Sequence, residues 1–280
     1  MKVVVLAGGL GSRFGDETAR CPKPLIEVGG KPIIWHVLMQ YSHYGFSEFI
    51  IALGYRGDQV KAFFANHLNL MNDVTLDFRR RQVLRTAGLE VTEDGWLVDL
   101  VDTGLMTATG GRIRRLAPAI RDETFMLTFC DGVSNLDLMA LLRFHKSHGK
   151  LATVTAVRPP PRFGKMEFAG DMVSRFVEKP LPGAGFEGPD DWISGGFFVL
   201  EPGVLDYISD DDSDWSRGCL PALAADGQLM AFKHGSFWQC MDNAQDRSYL
   251  ESLWQAGNSP WKTWCNGSIG RDGLARKDVD

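Results

Sequence analysis

The chain opens on an unbroken apolar run. Lys2–Ala7 reads KVVVLA, the pattern of a strand buried on both faces in a parallel sheet. Gly8–Gly15 follows as a glycine-rich loop. The length and apolar spacing of Ile33–Tyr44 predict a helix, and Phe49–Leu53 (FIIAL) predicts a second buried strand. Gln59–Leu68 has the spacing of a second amphipathic helix. Phe125–Phe129 (FMLTF) reads as a third strand ending at Cys130-Asp131-Gly132, Leu136–His148 as a helix, and Ala152–Val157 (ATVTAV) as a fourth strand. Strands and helices alternating at this pitch predict βαβ units. The expected class is α/β, with a Rossmann-like, doubly wound sheet that is mixed or parallel.

The pattern changes after Arg158. Pro159-Pro160-Pro161 ends the strand and stiffens the connection. Asp171–Glu178 and Phe197–Leu200 read as strands with little helix between them, which predicts a small β-rich portion. Val204–Ile208 begins a short helix and Ala244–Ala256 is the last one. Residues 265–280 are polar and glycine-containing, so a loosely ordered tail is expected. No linker interrupts residues 1–264, which read as one domain. Within Asp77–Leu97, the run Arg79-Arg80-Arg81 reads as a solvated face.

Composition narrows the function classes. The 280 residues hold 30 Lys and Arg against 35 Asp and Glu, a net charge of −5. Binding to nucleic acid, which needs dense positive charge, is not expected. No stretch approaches the roughly 18–20 apolar residues that span a bilayer, so no membrane segment is expected. The first apolar run, Val3–Ala7, stops at Gly8-Gly9 and does not read as a signal peptide. The cysteines are Cys21, Cys130, Cys219, Cys240 and Cys265, odd in number and without a CxxC pair. Reduced thiols in a cytoplasmic protein fit that pattern better than a disulfide framework or a structural zinc site.

The candidate chemistry sits at strand ends. Gly8-Gly9-Leu10-Gly11-Ser12-Arg13 follows the first strand at its carboxyl end, where open α/β sheets bind ligands. Glycines there let successive N–H groups converge on an anion. The loop lacks the GxxxxGK[ST] of a P-loop, and Phe14 stands where a dinucleotide fingerprint needs its third small residue. Arg13 instead offers a planar fork suited to phosphate. Lys23, clamped between Pro22 and Pro24, is a second candidate phosphate ligand. Asp131 follows strand FMLTF and Asp242 follows FWQCM. Two carboxylates converging on phosphate would suit Mg²⁺, though each aspartate could equally cap the helix after it.

The segment LAGGLGSRFGDETARCPKPLIEVGGKPII resembles the signature GGxGxR…PKP…GKP of the sugar-phosphate nucleotidyltransferases. The resemblance continues through Gly54-Tyr55, Val101-Asp102-Thr103-Gly104, Glu178-Lys179-Pro180, Gly195–Leu200 and Pro260–Trp264. Thr109–Arg112 and Phe237–Asp242 are similar to the branch that uses CTP. The resemblance implies a GT-A-like nucleotidyltransferase fold with a CTP-binding part at about 1–157. The part at about 158–264 would serve sugar phosphate and oligomerisation. The implied substrates are CTP and a hexose 1-phosphate, α-D-glucose 1-phosphate foremost, the implied cofactor is Mg²⁺, and a homo-oligomer is suggested, a hexamer in particular.

Residue by residue, the resemblance implies catalytic roles for Arg13, Lys23 and Lys179. CTP would lie against Leu6, Ala7, Gly8, Gly9, Leu10, Gly11, Ser12, Arg13, Lys23, Thr107, Arg112 and Cys130. Glu178, Lys179, Gly195 and Gly196 would receive the sugar phosphate, and Asp131 and Asp242 the metal. Arg112 could donate to cytosine O2 and N3, where the N3–H of uracil would clash. Glycine is usual in the family at position 130, and Cys130 stands there; Asp210–Asp214 is unusually acidic and Asp77–Leu97 matches poorly. A uridylyl- or thymidylyltransferase and a non-catalytic nucleotide-sugar sensor are the alternatives. A dinucleotide-dependent oxidoreductase is opposed by Phe14 and by the PKP segment.

Overall fold

The computed structural model describes residues 1–11, 21–70, 74–77, 79, 82–85, 95–158, 165–177 and 192–265. The first half runs β1 (Val3–Leu6), β2 (Glu27–Val28), β3 (Lys31–Pro32), α1 (Ile33–His43), β4 (Glu48–Leu53), α2 (Gly57–Leu70), β5 (Val74–Asp77), β6 (Gln82–Arg85) and β7 (Leu97–Asp102). It continues with α3 (Thr109–Arg115), α4 (Ala117–Ile120), β8 (Phe125–Phe129), β9 (Gly132–Ser134), α5 (Leu138–His148) and β10 (Ala152–Val157). The second half adds β11 (Lys165–Ala169), β12 (Met172–Val177), β13 (Trp192–Leu200), α6 (Leu220–Ala225), β14 (Leu229–Lys233), β15 (Trp238–Cys240) and α7 (Ala244–Gln255).

One nine-stranded sheet runs through both halves, in the order β10-β14-β12-β11-β13-β8-β1-β4-β7. Strands β8, β1, β4 and β7 are parallel, and β13 joins β8 antiparallel. Strand β10 also pairs with β13, so the five strands beyond β8 close on themselves. The sheet is therefore mixed, doubly wound in the first half and β-rich in the second. Strands β5 and β6 form a separate two-stranded ribbon; Arg79 of the arginine run is exposed, and Arg80 and Arg81 lie outside the described residues.

The strand sequences explain the layers. Successive side chains of a strand point to opposite faces. Val4 and Leu6 pack with Ile50, Ala52 and Leu127 on one side, while Val3, Val5 and Ala7 pack with Phe49, Ile51 and Met126 on the other. All of β1 and β10 is buried; β1 is an unbroken apolar run, and β10 is apolar apart from Thr153 and Thr155. Each valine or leucine among them contributes about 1.5–3 kcal/mol on burial. Helix α1 buries Ile33, Ile34, Val37, Leu38 and Tyr41, the stripe expected of a half-buried helix. A smaller core of Ile26, Val28, Ile33, Val133, Met241, Leu250 and Trp261 fixes α7 against β2 and β3.

Several boundaries differ from the sequence reading for local reasons. Helix α5 begins at Leu138, because Asp137 caps it by accepting from Ala140 N at 2.8 Å. Strand β13 starts five residues before Phe197, through a Gly195-Gly196 stretch whose apolar content is low. Where a short helix is expected from Val204, a 3₁₀ turn runs over Pro202–Tyr207, and Ile208 after it is extended. Pro159-Pro160-Pro161 and residues 266–280 lie outside the described residues; Cys265 ends a short 3₁₀ turn. Among the described residues no helix is long and apolar enough to cross a membrane. Cys21, Cys130, Cys219 and Cys240 are free thiols.

Candidate active site

A cavity of about 500 Å³ opens at the carboxyl ends of β1 and β8, a volume suited to a small ligand. Of the residues singled out in the sequence, Leu6, Ala7, Gly8, Gly9, Gly11, Lys23, Thr107, Arg112, Cys130, Asp131, Gly195, Gly196 and Asp242 line it. Leu10 is 53% exposed and is not part of the lining. Ser12, Arg13, Glu178 and Lys179 lie outside the described residues.

Lys23 sits between the two aspartates. Its Nζ donates to Asp131 Oδ2 and, at 2.8 Å, to Asp242 Oδ1. Pro22 and the buried Pro24 fix the 3₁₀ turn Lys23–Leu25 that carries it. Burial works against the ammonium, but Asp131 and Asp242 outweigh it and hold Lys23 protonated, above the ordinary lysine range.

The aspartates, far apart in sequence, are joined by backbone. Strand β9 pairs with β15, Gly132 opposite Cys240, and Met241 N donates to Asp131 O at 2.8 Å. Asp242 N donates in turn to Asp246 Oδ2 at 2.9 Å. Neither aspartate caps a helix: Asp137 caps α5 and Asn243 caps α7. Their side chains instead converge on one cationic nitrogen.

The glycine loop is held from below by Arg112. Its Nη2 donates to Gly8 O and Leu105 O, and its Nη1 to Leu53 O, Thr103 Oγ1 and Gly104 O. Burial, with Arg115 nearby, lowers its pKa from the usual guanidinium value. With both terminal nitrogens committed to the protein, donation to cytosine O2 and N3 would need one of these bonds to be surrendered. A Cβ on Gly8 would lie 2.3 Å from Arg112 Cζ, and one on Gly54 would lie 2.6 Å from Gly8 O. Both positions need glycine for this close packing.

The far wall is β13. Between Val154 and Ala156 of β10 the pairing shifts, so Gly195-Gly196 forms a bulge facing the cavity. Trp238 Nε1 donates to Gly195 O at 2.7 Å. Cys130 and Cys240 also line the cavity, and burial first, then the nearby Asp131, pushes both thiols up, so they remain protonated.

The sequence reading missed Trp238, Asp246, Asp214 and Ser216 as wall or support. Asp246 was visible only as an acid four residues after Asp242. The acidic stretch Asp210–Asp214 was noted without its purpose. It docks on the start of α3, where a Cβ on Gly111 would lie 2.3 Å from Asp211 O and one on Gly110 2.6 Å from Ser213 O. Arg115 pairs with Asp211, and Asp214 and Ser216 reach the cavity.

A mixed sheet with a nucleotide-sized cavity at its carboxyl edge, a glycine loop and converging Lys, Asp and Asp defines the GT-A-like nucleotidyltransferase class. The sequence model of the nucleotidyl transferase family matches residues 2–256, and the chain belongs to that family. It is 47% identical over 268 residues to the glucose-1-phosphate cytidylyltransferase of Salmonella typhimurium, a match spanning 94% of this chain and 100% of the relative. A solved structure of UDP-glucose pyrophosphorylase complexed with UDP-glucose has the same fold, with a TM-score of 0.70 at 16% identity, over 91% of this chain and 98% of that one. HddC from Yersinia pseudotuberculosis gives a TM-score of 0.66 at 20% identity, over 90% and 99% of the two chains.

Proposed function

We propose that this chain transfers the cytidylyl group of CTP to α-D-glucose 1-phosphate, giving CDP-glucose and pyrophosphate. The observation that carries the reading is the meeting of Lys23, Asp131 and Asp242 beside the glycine loop, in a chain so similar along its length to a glucose-1-phosphate cytidylyltransferase.

An oxygen of the sugar phosphate attacks the α-phosphorus of CTP in line, forming one P–O bond as the bond to pyrophosphate breaks. The attacking group is already an anion at neutral pH, so no side chain need remove a proton. Catalysis is then alignment and charge neutralisation. Backbone N–H groups of Gly8–Gly11 cradle the triphosphate. Lys23 neutralises charge growing at the α-phosphorus, Arg13 charge on the leaving pyrophosphate, and Lys179 holds the attacking phosphate against repulsion. Glu178 and the bulge at Gly195-Gly196 receive the sugar. Thr107 and Arg112 border the base.

The donor set fits magnesium. Two carboxylate oxygens already converge on one cation, the Lys23 ammonium, and Mg²⁺ takes one or two carboxylates and completes its shell with phosphate oxygens and water. Asp131 and Asp242 would hold it, and when bound it supplies neutralisation of the triphosphate charge. On this reading the protein is a cytoplasmic homo-oligomer, a hexamer in particular. It provides a nucleotide sugar for polysaccharide synthesis such as that of O-antigen.

The test is pyrophosphate release with Mg²⁺ over a grid of nucleoside triphosphates and sugar 1-phosphates. Turnover confined to CTP with glucose 1-phosphate is expected. CTP with another sugar would keep the reaction and change the acceptor, and UTP or dTTP in preference to CTP would overturn the reading.

A further inference from the structure

We propose that Lys23 is the resident counter-ion of the Asp131–Asp242 pair, and that these carboxylates hold a divalent cation only after Lys23 has moved off them onto phosphate. The inference rests on the cytidylyl-transfer reading and adds an order to it: the protein without nucleotide excludes the metal that it accepts together with nucleotide.

The geometry makes the two cations mutually exclusive. Lys23 Nζ donates to one oxygen of each aspartate, and the three side chains are only 14%, 18% and 12% exposed. A magnesium ion needs carboxylate oxygens at about 2.0–2.1 Å. Serving both aspartates, it would stand where the ammonium now stands, and two cations at that separation repel strongly in a half-dry site.

The parts that stay and the part that moves are also distinguishable. Asp131 is tied through its carbonyl to Met241 N, and Asp242 through its amide to Asp246, which Gln239 also holds at 3.1 Å. The Lys23 backbone is fixed by its prolines and by Ile26 N donating to Lys23 O at 3.1 Å. Above that anchor the lysine has a flexible four-carbon stem. The cavity that it lines with Gly8, Gly9 and Gly11 is where phosphate would draw it. Until then the lysine keeps two largely buried like charges compensated, a role whose loss destabilises a protein.

The experiment measures Mn²⁺ binding by electron paramagnetic resonance without any nucleotide, in the wild-type protein and in Lys23→Met. Lys23→Gln, whose amide still donates to carboxylate, serves as the second variant where the methionine misfolds. Both variants should bind Mn²⁺ at least about ten-fold more tightly than wild type, since the competing charge is gone. Adding Asp131→Asn should abolish that gain. In EDTA the variants should melt below wild type and recover with Mn²⁺, while wild type responds to Mn²⁺ only with CTP present. Equal Mn²⁺ affinity in wild type and both variants overturns the exchange, as does a gain that survives Asp131→Asn. If affinities are equal yet wild type releases pyrophosphate from CTP with Mg²⁺, the exchange falls and the transfer reading stands. If the gain appears and no substrate pair turns over, the exclusion stands and the transfer reading falls.

Discussion

Arg112 Nη2 donates to the carbonyl of Gly8 at 3.1 Å across 104 positions of sequence, so a residue of α3 holds the glycine loop in place. The same guanidinium reaches Leu53, Thr103, Gly104 and Leu105. A lysine keeps the charge but has no planar fork, and leaves several of these oxygens unpaired. Arg112→Lys should therefore weaken CTP binding by roughly 2–3 kcal/mol, the scale of orphaned buried hydrogen-bonding groups, and lower the melting temperature. Calorimetric titration with CTP checks it. Unchanged affinity and melting would mean that the loop holds its shape alone.

Asp131→Asn and Asp242→Asn each remove one of the two charges that converge on Lys23. Each should cut turnover by at least about 10²-fold, the usual loss on removing one preorganised electrostatic partner. Chelation of wild type with EDTA should abolish pyrophosphate release, and Mg²⁺ should restore it. Retention of activity by either asparagine variant would take the metal role from that aspartate.

These two sites show what the sequence carried. Strands β1, β8 and β10 were legible because they are buried on both faces: β1 reads as an unbroken apolar run, and β8 and β10 as apolar runs interrupted only by threonine. Strand β7 alternates between exposed and half-buried, and β9 and β15 are three residues each, too short to leave a period. Helix α3 carries two glycines, Gly110 and Gly111, directly after its first residue, where glycine is a poor helix former (about 1 kcal/mol each in a helix interior). Their reason, the docked carbonyls of Asp211 and Ser213, lies a hundred residues away. Lys23, Asp131 and Asp242 could be picked out because their chemistry stands beside strand ends and prolines. Their convergence was implied only by the family resemblance, because the pairing of β9 with β15 and the Met241–Asp131 hydrogen bond are long-range facts.

Gly196 has φ +78°, and a Cβ there would lie 2.9 Å from Phe129 Cδ2. Gly196→Ala should strain the bulge by about 1–2 kcal/mol and shift the wall assigned to the sugar. The expected result is a KM for glucose 1-phosphate raised about ten-fold with CTP affinity unchanged, as that strain predicts. Steady-state kinetics with each substrate varied in turn gives the answer. Equal loss for both substrates would detach the bulge from sugar binding.

His36 is fully buried among Trp35, Trp254, Trp261 and Trp264. Its Nε2–H donates to Val28 O at 2.8 Å and its Nδ1 accepts from Trp261 Nε1 at 3.3 Å, so the ring is neutral with the proton on Nε2. Burial lowers its pKa from 6.5 to about 4. Between those values the unfolded chain binds a proton that the folded protein refuses, so stability falls as pH falls through that window. Full passage through it costs roughly 3 kcal/mol, and the step from pH 7.5 to pH 5 about 2 kcal/mol. Urea unfolding of wild type and His36→Asn at these two pH values isolates the contribution, because the other titrating groups are common to both. Wild type should lose about 2 kcal/mol more than the variant. Parallel losses would show that His36 takes up its proton without opening the tryptophan core.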